Sequence, residues 1–378
     1  MGTFDGVELT DLVLTGPRLT LRPWLASDAD DVYLAMQDEL AHRFLPLPYP
    51  YTREDATTFV TSLGDEGRAA GTGLGCALVD TLSGRLVGSA ALRLPGEIGY
   101  AVYPWGRGHG FAAEATRVLT AWAFEHGVPR MQLFCDVHNL ASVRTALAAG
   151  FSFEGVSRSV SVSPIDPGAG GLRADMARFS RVLADSGEPV QPLLPQLPRD
   201  GLADGVLALR VLVPGDVEAM MQTDDALTLQ WAFSPEPHTL ERAQRAADEA
   251  GLDWLVGKIG GIALVDLDSG RFAGSVRLRM VGPPGVCAVG YVVHPDFRGR
   301  GYTTRALRLL SEWAFDAGIN RLELGAKIGN IASQKAATHA GFAYEGVFAS
   351  RLRNADGSYS DEARYALVKP SALIKPAG

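Results

Sequence analysis

Apolar and polar positions alternate in short runs at matching places in the two halves of the chain. Leu19-Thr-Leu-Arg22 with Asp28 parallels Leu207-Ala-Leu-Arg210 with Asp216. Each run predicts a strand, a turn and a helix start with the acid near the helix N-terminus. Ala77-Leu-Val-Asp80 before Ser83-Gly-Arg85 parallels Ala263-Leu-Val-Asp266 before Ser269-Gly-Arg271. Both predict hairpins, because Ser-Gly supplies the positive φ of a tight turn. Further on, a short apolar strand pattern runs into a Gly/Arg turn and then a helical pattern, in which Leu307, Leu310, Trp313 and Ala314 recur at helical spacing. Each half closes on a short strand, Ala177-Arg-Phe179 and Ala363-Arg-Tyr365.

The parallels amount to a tandem duplication. Residues 99–156 align with 290–347 without a gap, with 26 identities in 58 positions. The order in each half is strand, helices, three strands, helix, strand, helix, strand, a mixed α/β class with helices covering a central sheet. At 378 residues one core is not expected. The expected division is 8–184, a connector at 185–205 and 206–372. The connector carries four prolines, so it reads as semi-extended. Its Leu193, Leu194 and Leu197 are expected to pack on a domain and strap the halves together. SPIDPGAGG at 163–171 reads as an exposed loop.

Charge and cysteines narrow the function. A formal charge of −8 argues against a nucleic-acid surface. Cys76, Cys135 and Cys287 stand far apart, so neither a disulfide framework nor a metal site is expected. No signal-peptide pattern, myristoylation pattern or apolar run of membrane-spanning length occurs, which predicts a cytoplasmic protein that binds no membrane.

The candidate chemistry lies in the turn, Arg107-Gly108-His109-Gly110-Phe111-Ala112, repeated as Arg298-Gly299-Arg300-Gly301-Tyr302-Thr303. Glycines let successive N–H groups face one concavity, and the helix that follows aims its positive end there. Such a turn suits a pyrophosphate, to which Arg107 and Arg298 would lend formal charge. A Walker loop is missing, and the dinucleotide fingerprint is incomplete. The bland alternative is a glycine turn that only reverses the chain.

These residues resemble the GNAT superfamily of acyl-CoA-dependent N-acetyltransferases, above all the branch that acetylates the N-terminal amines of ribosomal proteins. The family pattern, Arg/Gln-x-x-Gly-x-Gly/Ala, is met by Arg107, Gly110 and Ala112. Arg298 and Gly301 meet it again, but Thr303 replaces the small residue. Asn139-Leu-Ala-Ser142, Ala149-Gly-Phe151 and Glu154-Gly155 resemble the segment that follows in that branch, and Asn330-Ile-Ala-Ser333, Ala340-Gly-Phe342 and Glu345-Gly346 repeat it. The likeness covers nearly all of both halves outside the connector.

The resemblance implies two tandem GNAT domains, each a splayed, mostly antiparallel sheet covered by helices, using acetyl-CoA. The strand before the turn would part from its neighbour at a bulge. Pantetheine would lie along Tyr100 to Tyr103 and along Tyr291 to His294, bonded by Asn139 and Asn330; the alternative for these asparagines is a turn residue in αL. The N–H groups of Val102 and Val293 would polarise the acetyl carbonyl. Many GNAT enzymes carry a tyrosine a few residues after the asparagine to meet the departing thiolate. Neither half has one, which leaves Ser142 and Ser333, or these serines cap their helices.

Glu97 is the candidate base, sharing a strand face with Gly99. The second half has Ala288 there, with His294, Glu323 or nothing as its base; His138 and His294 otherwise read as structural. Phe44-Leu-Pro-Leu-Pro-Tyr-Pro-Tyr51 and Trp231-Ala-Phe-Ser-Pro-Glu-Pro-His238 would wall the acceptor site or simply cover the core. The expected activity is acetyl transfer to a primary amine, a peptide N-terminus or a small metabolite, with the first half catalytic. A non-catalytic acyl-CoA sensor or scaffold is the alternative. A monomer with pseudo-dimeric halves or a weak homodimer is expected.

Overall fold

Alternating strands and amphipathic helices build the same layered unit twice, with the division between Gln191 and Pro192. The computed structural model describes residues 4, 6–162, 173–233, 236–257, 259–354 and 356–370. The 163–171 loop therefore lies outside the described residues.

In the first unit the order is β1 (Leu14–Thr15), β2 (Leu19–Arg22), α1 (Ala29–Ala35), α2 (Glu39–Phe44), α3 (Arg53–Thr61), α4 (Glu66–Ala69), β3 (Gly73–Asp80), β4 (Leu86–Arg93) and β5 (Glu97–Val102). Then come α5 (Phe111–Glu125), β6 (Arg130–Asp136), α6 (Leu140–Ala148), β7 (Ser152–Val162) and β8 (Arg173–Val182). The second unit repeats this as β9 (Leu202–Ala203), β10 (Leu207–Val211), α7 (Val217–Met221), α8 (Ala226–Trp231), α9 (Leu240–Asp248), α10 (Ala250–Leu255), β11 (Gly260–Asp266), β12 (Phe272–Met280) and β13 (Val286–Val293). It ends with α11 (Tyr302–Asp316), β14 (Arg321–Lys327), α12 (Ile331–His339), β15 (Ala343–Arg353) and β16 (Tyr359–Val368).

Among the described residues each sheet has eight strands, in the order β1-β2-β3-β4-β5-β6-β8-β7 and its repeat. Among the described residues only β5–β6 and β13–β14 pair in parallel, across the helix that crosses between them. The predicted hairpins form, with Gly84 and Gly270 at φ 69° and 67°. Asp28 and Asp216 are buried at the helix starts, each chelated by the arginine of the preceding strand.

Two strands per unit escaped the expected order. The pair β1 and β9 is too short to show a period. The strands β7 and β15 were hidden because exposure on both faces removes any need for alternation: most of β15, including Tyr344 and Phe348, is exposed.

The connector is not a free strap. Val190 bonds Leu147 in the first unit, whereas Leu194 is fully buried in the core of the second. Leu197 packs on that same core, and Trp254 Nε1 donates to Pro195 O. Leu193 keeps much of its surface exposed, beside Gly257. At the other end, Phe4 is buried against Trp122.

Helices cover both faces of each sheet. In the second unit Ala263 and Phe272 pack against Met220, Ala243 and Ala250 of the α7–α10 layer. On the other face Val276, Leu278, Cys287 and Val289 meet Ala306, Leu307 and Leu310 of α11. In the first unit Ala77 and Tyr103 join Val32, Ala35, Ala56 and Val60 of the α1–α3 layer.

Candidate active site at the parted strands

The two parallel strands of each unit pair briefly and then separate. In the first unit pairing is confined to Glu97↔Gln132 and Ile98↔Leu133. In the second it runs from Val286↔Arg321 to Ala288↔Glu323. The expected bulge is not the cause, because the β4–β5 register is continuous from Arg93↔Glu97 to Gly88↔Val102. Tyr103 N–H donates to Val87 O at 2.9 Å, which sets the parity of that antiparallel ladder. Main-chain groups of Gly99 and Ala101 thus bond β4, and those of Tyr100 and Val102 point into the gap. His294 N–H to Ala273 O, also 2.9 Å, gives Tyr291 and Val293 the same orientation. Each gap is therefore edged by main-chain groups without strand partners.

Each gap leads to the glycine turn. Gly108 and Gly110 have φ of 79° and 77°, Gly299 and Gly301 of 76° and 75°, a region that side chains with Cβ resist. Gly110 and Gly301 start α5 and α11, and no side chain caps either helix. The leading N–H groups are thus available to a ligand. Phe111, Ala112 and Tyr302 are buried, so they face the turn through main chain alone. The Tyr302 hydroxyl donates to Asp266. His109 stacks on Phe111, and Arg300 lies over Phe297. Thr303 is half-buried at the place of Ala112.

Arg107 and Arg298 were expected to lend charge to a phosphate, but both are committed elsewhere. Arg107 donates through Nη1 and Nη2 to the two oxygens of Asp38, at 3.1 and 2.6 Å. Asp38 also caps α2. Arg298 grips Asp225, the cap of α8, at 2.6 and 2.8 Å, and adds Thr228. These arginines tie the turn to the neighbouring helix.

Other cations sit at the turn, and of these the sequence analysis names Arg300 alone. In the first unit Arg18 donates to His109 O at 2.8 Å and pairs with buried Glu114 at 3.0 Å. In the second, Arg300, Arg305, Arg308 and His339 line a groove of about 620 Å³ beside Gly301. There Arg305 pairs with Asp204 at 2.6 Å, so the helix residue and its partner have exchanged charge relative to Glu114 and Arg18.

Asn139 and Asn330 act as N-caps, each accepting through Oδ1 from the N–H of Ser142 or Ser333 at 3.1 Å. They are not αL turn residues, since φ is −81° and −83°. Asparagine three residues before serine at a helix start was the signal for this cap. Because the asparagines cap, the serines do not. Ser142 Oγ instead lies 2.7 Å from the Tyr100 hydroxyl, and Ser333 Oγ lies 2.7 Å from that of Tyr291. Burial raises the ionisation of both phenols above the usual tyrosine value, so both stay protonated near neutral pH.

Glu97 shares a face with Gly99 and Tyr103, toward the α1–α3 layer. It is partly exposed, with Arg93 at 4.0 Å. Opposite it in β6 is Gln132. The second unit exchanges the pair: Ala288 stands opposite Glu323, which Arg321 and Arg364 hold at 2.9 and 2.7 Å. His294 is buried, with Gln222 3.3 Å from Nε2. His138 bonds Asp136. The stretch before Tyr51 leaves Tyr49 exposed, whereas Tyr51 is buried. Residues 234 and 235 of the matching stretch lie outside the described residues. The three cysteines are buried free thiols. No described helix is long and apolar enough to cross a membrane.

Comparison with known proteins gives a family. A search of curated proteins found no match. Among solved structures, a GNAT-family acetyltransferase from Bacillus anthracis is 17% identical, covering 44% of this chain and 97% of its own, with a TM-score of 0.40. RimL, a ribosomal L7/L12 alpha-N-protein acetyltransferase solved with coenzyme A, is 22% identical, covering 44% and 95%, with a TM-score of 0.40. The microcin C7 self-immunity acetyltransferase MccE, solved with acetyl-CoA and AMP, is 18% identical, covering 46% and 98%, with a TM-score of 0.42. The family model of the acetyltransferase (GNAT) domain matches twice, over residues 18–152 and 207–343, well over half of the chain. Each match spans parted strands, glycine turn and capped helix, and the chain belongs to the GNAT acetyltransferase family in both of its halves.

Proposed function

We propose that the first half transfers an acetyl group from acetyl-CoA to a primary amine, and that the second half binds acyl-CoA in its own gap. One observation carries this reading. The unpaired main chain of Tyr100 and Val102 runs directly into a positive-φ glycine turn and an uncapped helix N-terminus. A Cβ built at Gly108 meets nothing within 4 Å, so the turn is open on the side a diphosphate would take. Its N–H groups and the helix dipole suit that anion. Arg18 adds charge in the first half, and Arg300 and Arg308 add it in the second.

Acetyl-CoA would supply the activated thioester. Val102 N–H lies where it can polarise a carbonyl oxygen in the gap. Glu97, directly or through one water, takes the proton of the amine. The Tyr100 hydroxyl, joined to Ser142 Oγ, holds a proton for the departing thiolate, in place of the tyrosine absent from α6. Asn139 uses Oδ1 as the helix cap, which leaves its Nδ2 to donate to pantetheine. The acceptor is the N-terminus of a peptide or a small amine.

The alternative, a non-catalytic acyl-CoA sensor, suits the second half better than the first. There Ala288 removes the base, and Glu323 is neutralised by two arginines. Calorimetric titration with acetyl-CoA tests the proposal, with two molecules bound per chain expected. Thiol release against a panel of amines follows. No uptake at millimolar concentration would end the reading. Full turnover in Glu97→Gln at saturating amine would remove the base.

A further inference from the structure

The strand faces that look onto the smaller helical layer differ in charge between the two halves. In the first, Ala91 of β4 stands between Gly75 and Gly99 of the adjoining strands. In the second, Arg277 of β12 occupies the matching place, between Gly261 and Gly290. Residues opposite one another in a ladder share a face, so the Arg277 side chain rises beside the bare backbone of Gly290. A Cβ at Gly290 would meet nothing within 4 Å, which leaves room next to the guanidinium.

Arg277 is held by a histidine–carboxylate pair. Its Nη2 lies 3.3 Å from Nε2 of His238, and His238 Nδ1 lies 3.0 Å from both oxygens of Asp224. Asp224 also accepts from the main-chain N–H of His238. The carboxylate is thus engaged with the histidine, fixing Nδ1–H and leaving Nε2 to accept from Arg277. Arg242 follows three residues after Thr239, the cap of α9. Desolvation first, and then the positive field of Arg242, pull the Arg277 guanidinium below the usual arginine value, against the opposing field of Asp224. Among the described residues neither arginine pairs with a carboxylate. In the first half Gln37, whose amide donates to Tyr51 O at 3.1 Å, stands in the place of Asp224, and Asp55, after the cap Thr52, in the place of Arg242. Two guanidinium groups, neither bonded to a carboxylate and one within the field of the other, are an anion-binding set.

We infer that the second half takes a ligand bearing a carboxylate or phosphate beside its amine, with Arg277 and Arg242 clamping the anion and His238 positioning Arg277. This rests on the reading that the Gly290 face is the acceptor side of the second gap. The test is calorimetric titration of the full chain, with and without saturating coenzyme A, using phosphoethanolamine, β-alanine and ethanolamine as probes. At least one anionic probe is expected to bind about tenfold tighter than ethanolamine, equal to about 1.4 kcal/mol. The tighter of the two identifies phosphate or carboxylate as the preferred group.

Arg277→Gln should reduce the preference to below about threefold, and Arg277→Lys should restore part of it. Arg242→Gln, at an exposed helix position, gives a second readout if the strand variant unfolds. Equal affinity for the three probes would overturn the inference, as would a preference unchanged in both glutamine variants. If coenzyme A itself does not bind, the function proposed above fails, and the titrations without it still decide whether the clamp exists.

Discussion

The Tyr100 hydroxyl stands 2.7 Å from Ser142 Oγ, and Tyr291 stands 2.7 Å from Ser333 Oγ. One residue of each pair comes from the parted strand and the other from the first turn of the capped helix, so the contact bridges the two sides of the gap. Burial keeps both phenols protonated. Tyr100→Phe is expected to lower turnover by about 10², with little change in the KM for acetyl-CoA. Its stability should fall by no more than about 1.5 kcal/mol, the usual net worth of one hydrogen bond. Tyr291→Phe should leave turnover within about twofold. Steady-state thiol release and thermal melts check both. Equal losses of activity in the two variants would mean that both halves turn over.

The exchange of Glu97 opposite Gln132 for Ala288 opposite Glu323 separates the proposed base from an acid held by two arginines. Glu97→Gln should cost about 10² to 10⁴ in kcat and leave the melt unchanged, because among the described residues its one ion-pair partner is Arg93, at 4.0 Å. Glu323→Gln should leave kcat intact and lower stability by about 1 to 3 kcal/mol, since Arg321 and Arg364 lose a shared carboxylate. Chemical denaturation paired with kinetics distinguishes the two outcomes.

Local backbone demands were legible in the sequence. Gly108, Gly110, Gly299 and Gly301 had to be glycine because their φ lies near +77°, and a demand of that kind shows in any single copy. The duplication made the architecture readable, since each strand–turn–helix pattern was seen twice. Pairings across distance were not legible. Arg18 is 96 residues from Glu114, and Arg107 is 69 from Asp38; no periodicity reports such partners. The Arg107–Asp38 pair is hidden from the sequence for that reason, a positive charge by a phosphate-type turn being more visible than the acid that answers it. Tyr100 and Ser142, 42 residues apart, were each marked as site residues, but their contact depends on how α6 docks against β5.

The ion pairs behind the turn predict an acid limb of stability. Asp38 is held below its ordinary 3.8 chiefly by the Arg107 hydrogen bonds, and Asp225 is held further below it chiefly by Arg298. A carboxyl group depressed in the folded state contributes stability above its unfolded value and loses it as pH falls through the folded one. The melting temperature should therefore fall below about pH 4, in the window under 3.8. Asp38→Asn and Asp225→Asn should start lower at pH 7 and decline less over that window. Melts recorded from pH 7 to pH 2 decide this, and parallel curves would mean that the pairs contribute nothing.

The last prediction concerns salt. Arg300 and Arg308 line the groove at the second turn, whereas the first turn has Arg18, whose charge is answered by Glu114 through a bond at 3.0 Å. An anion held by exposed guanidinium groups weakens as ionic strength rises, because the Debye length shortens from about 10 Å at 0.1 M to about 3 Å at 1 M. Coenzyme A binding to the second half should therefore be the more salt-sensitive of the two. Arg308→Ala should remove about tenfold in affinity at low salt and much less at 1 M. Arg298→Gln should act differently: its guanidinium braces α8 rather than facing the groove, so its loss of affinity should persist at high salt. Titrations at two ionic strengths separate these outcomes. Identical salt slopes for the two variants would show that Arg298 faces the ligand after all.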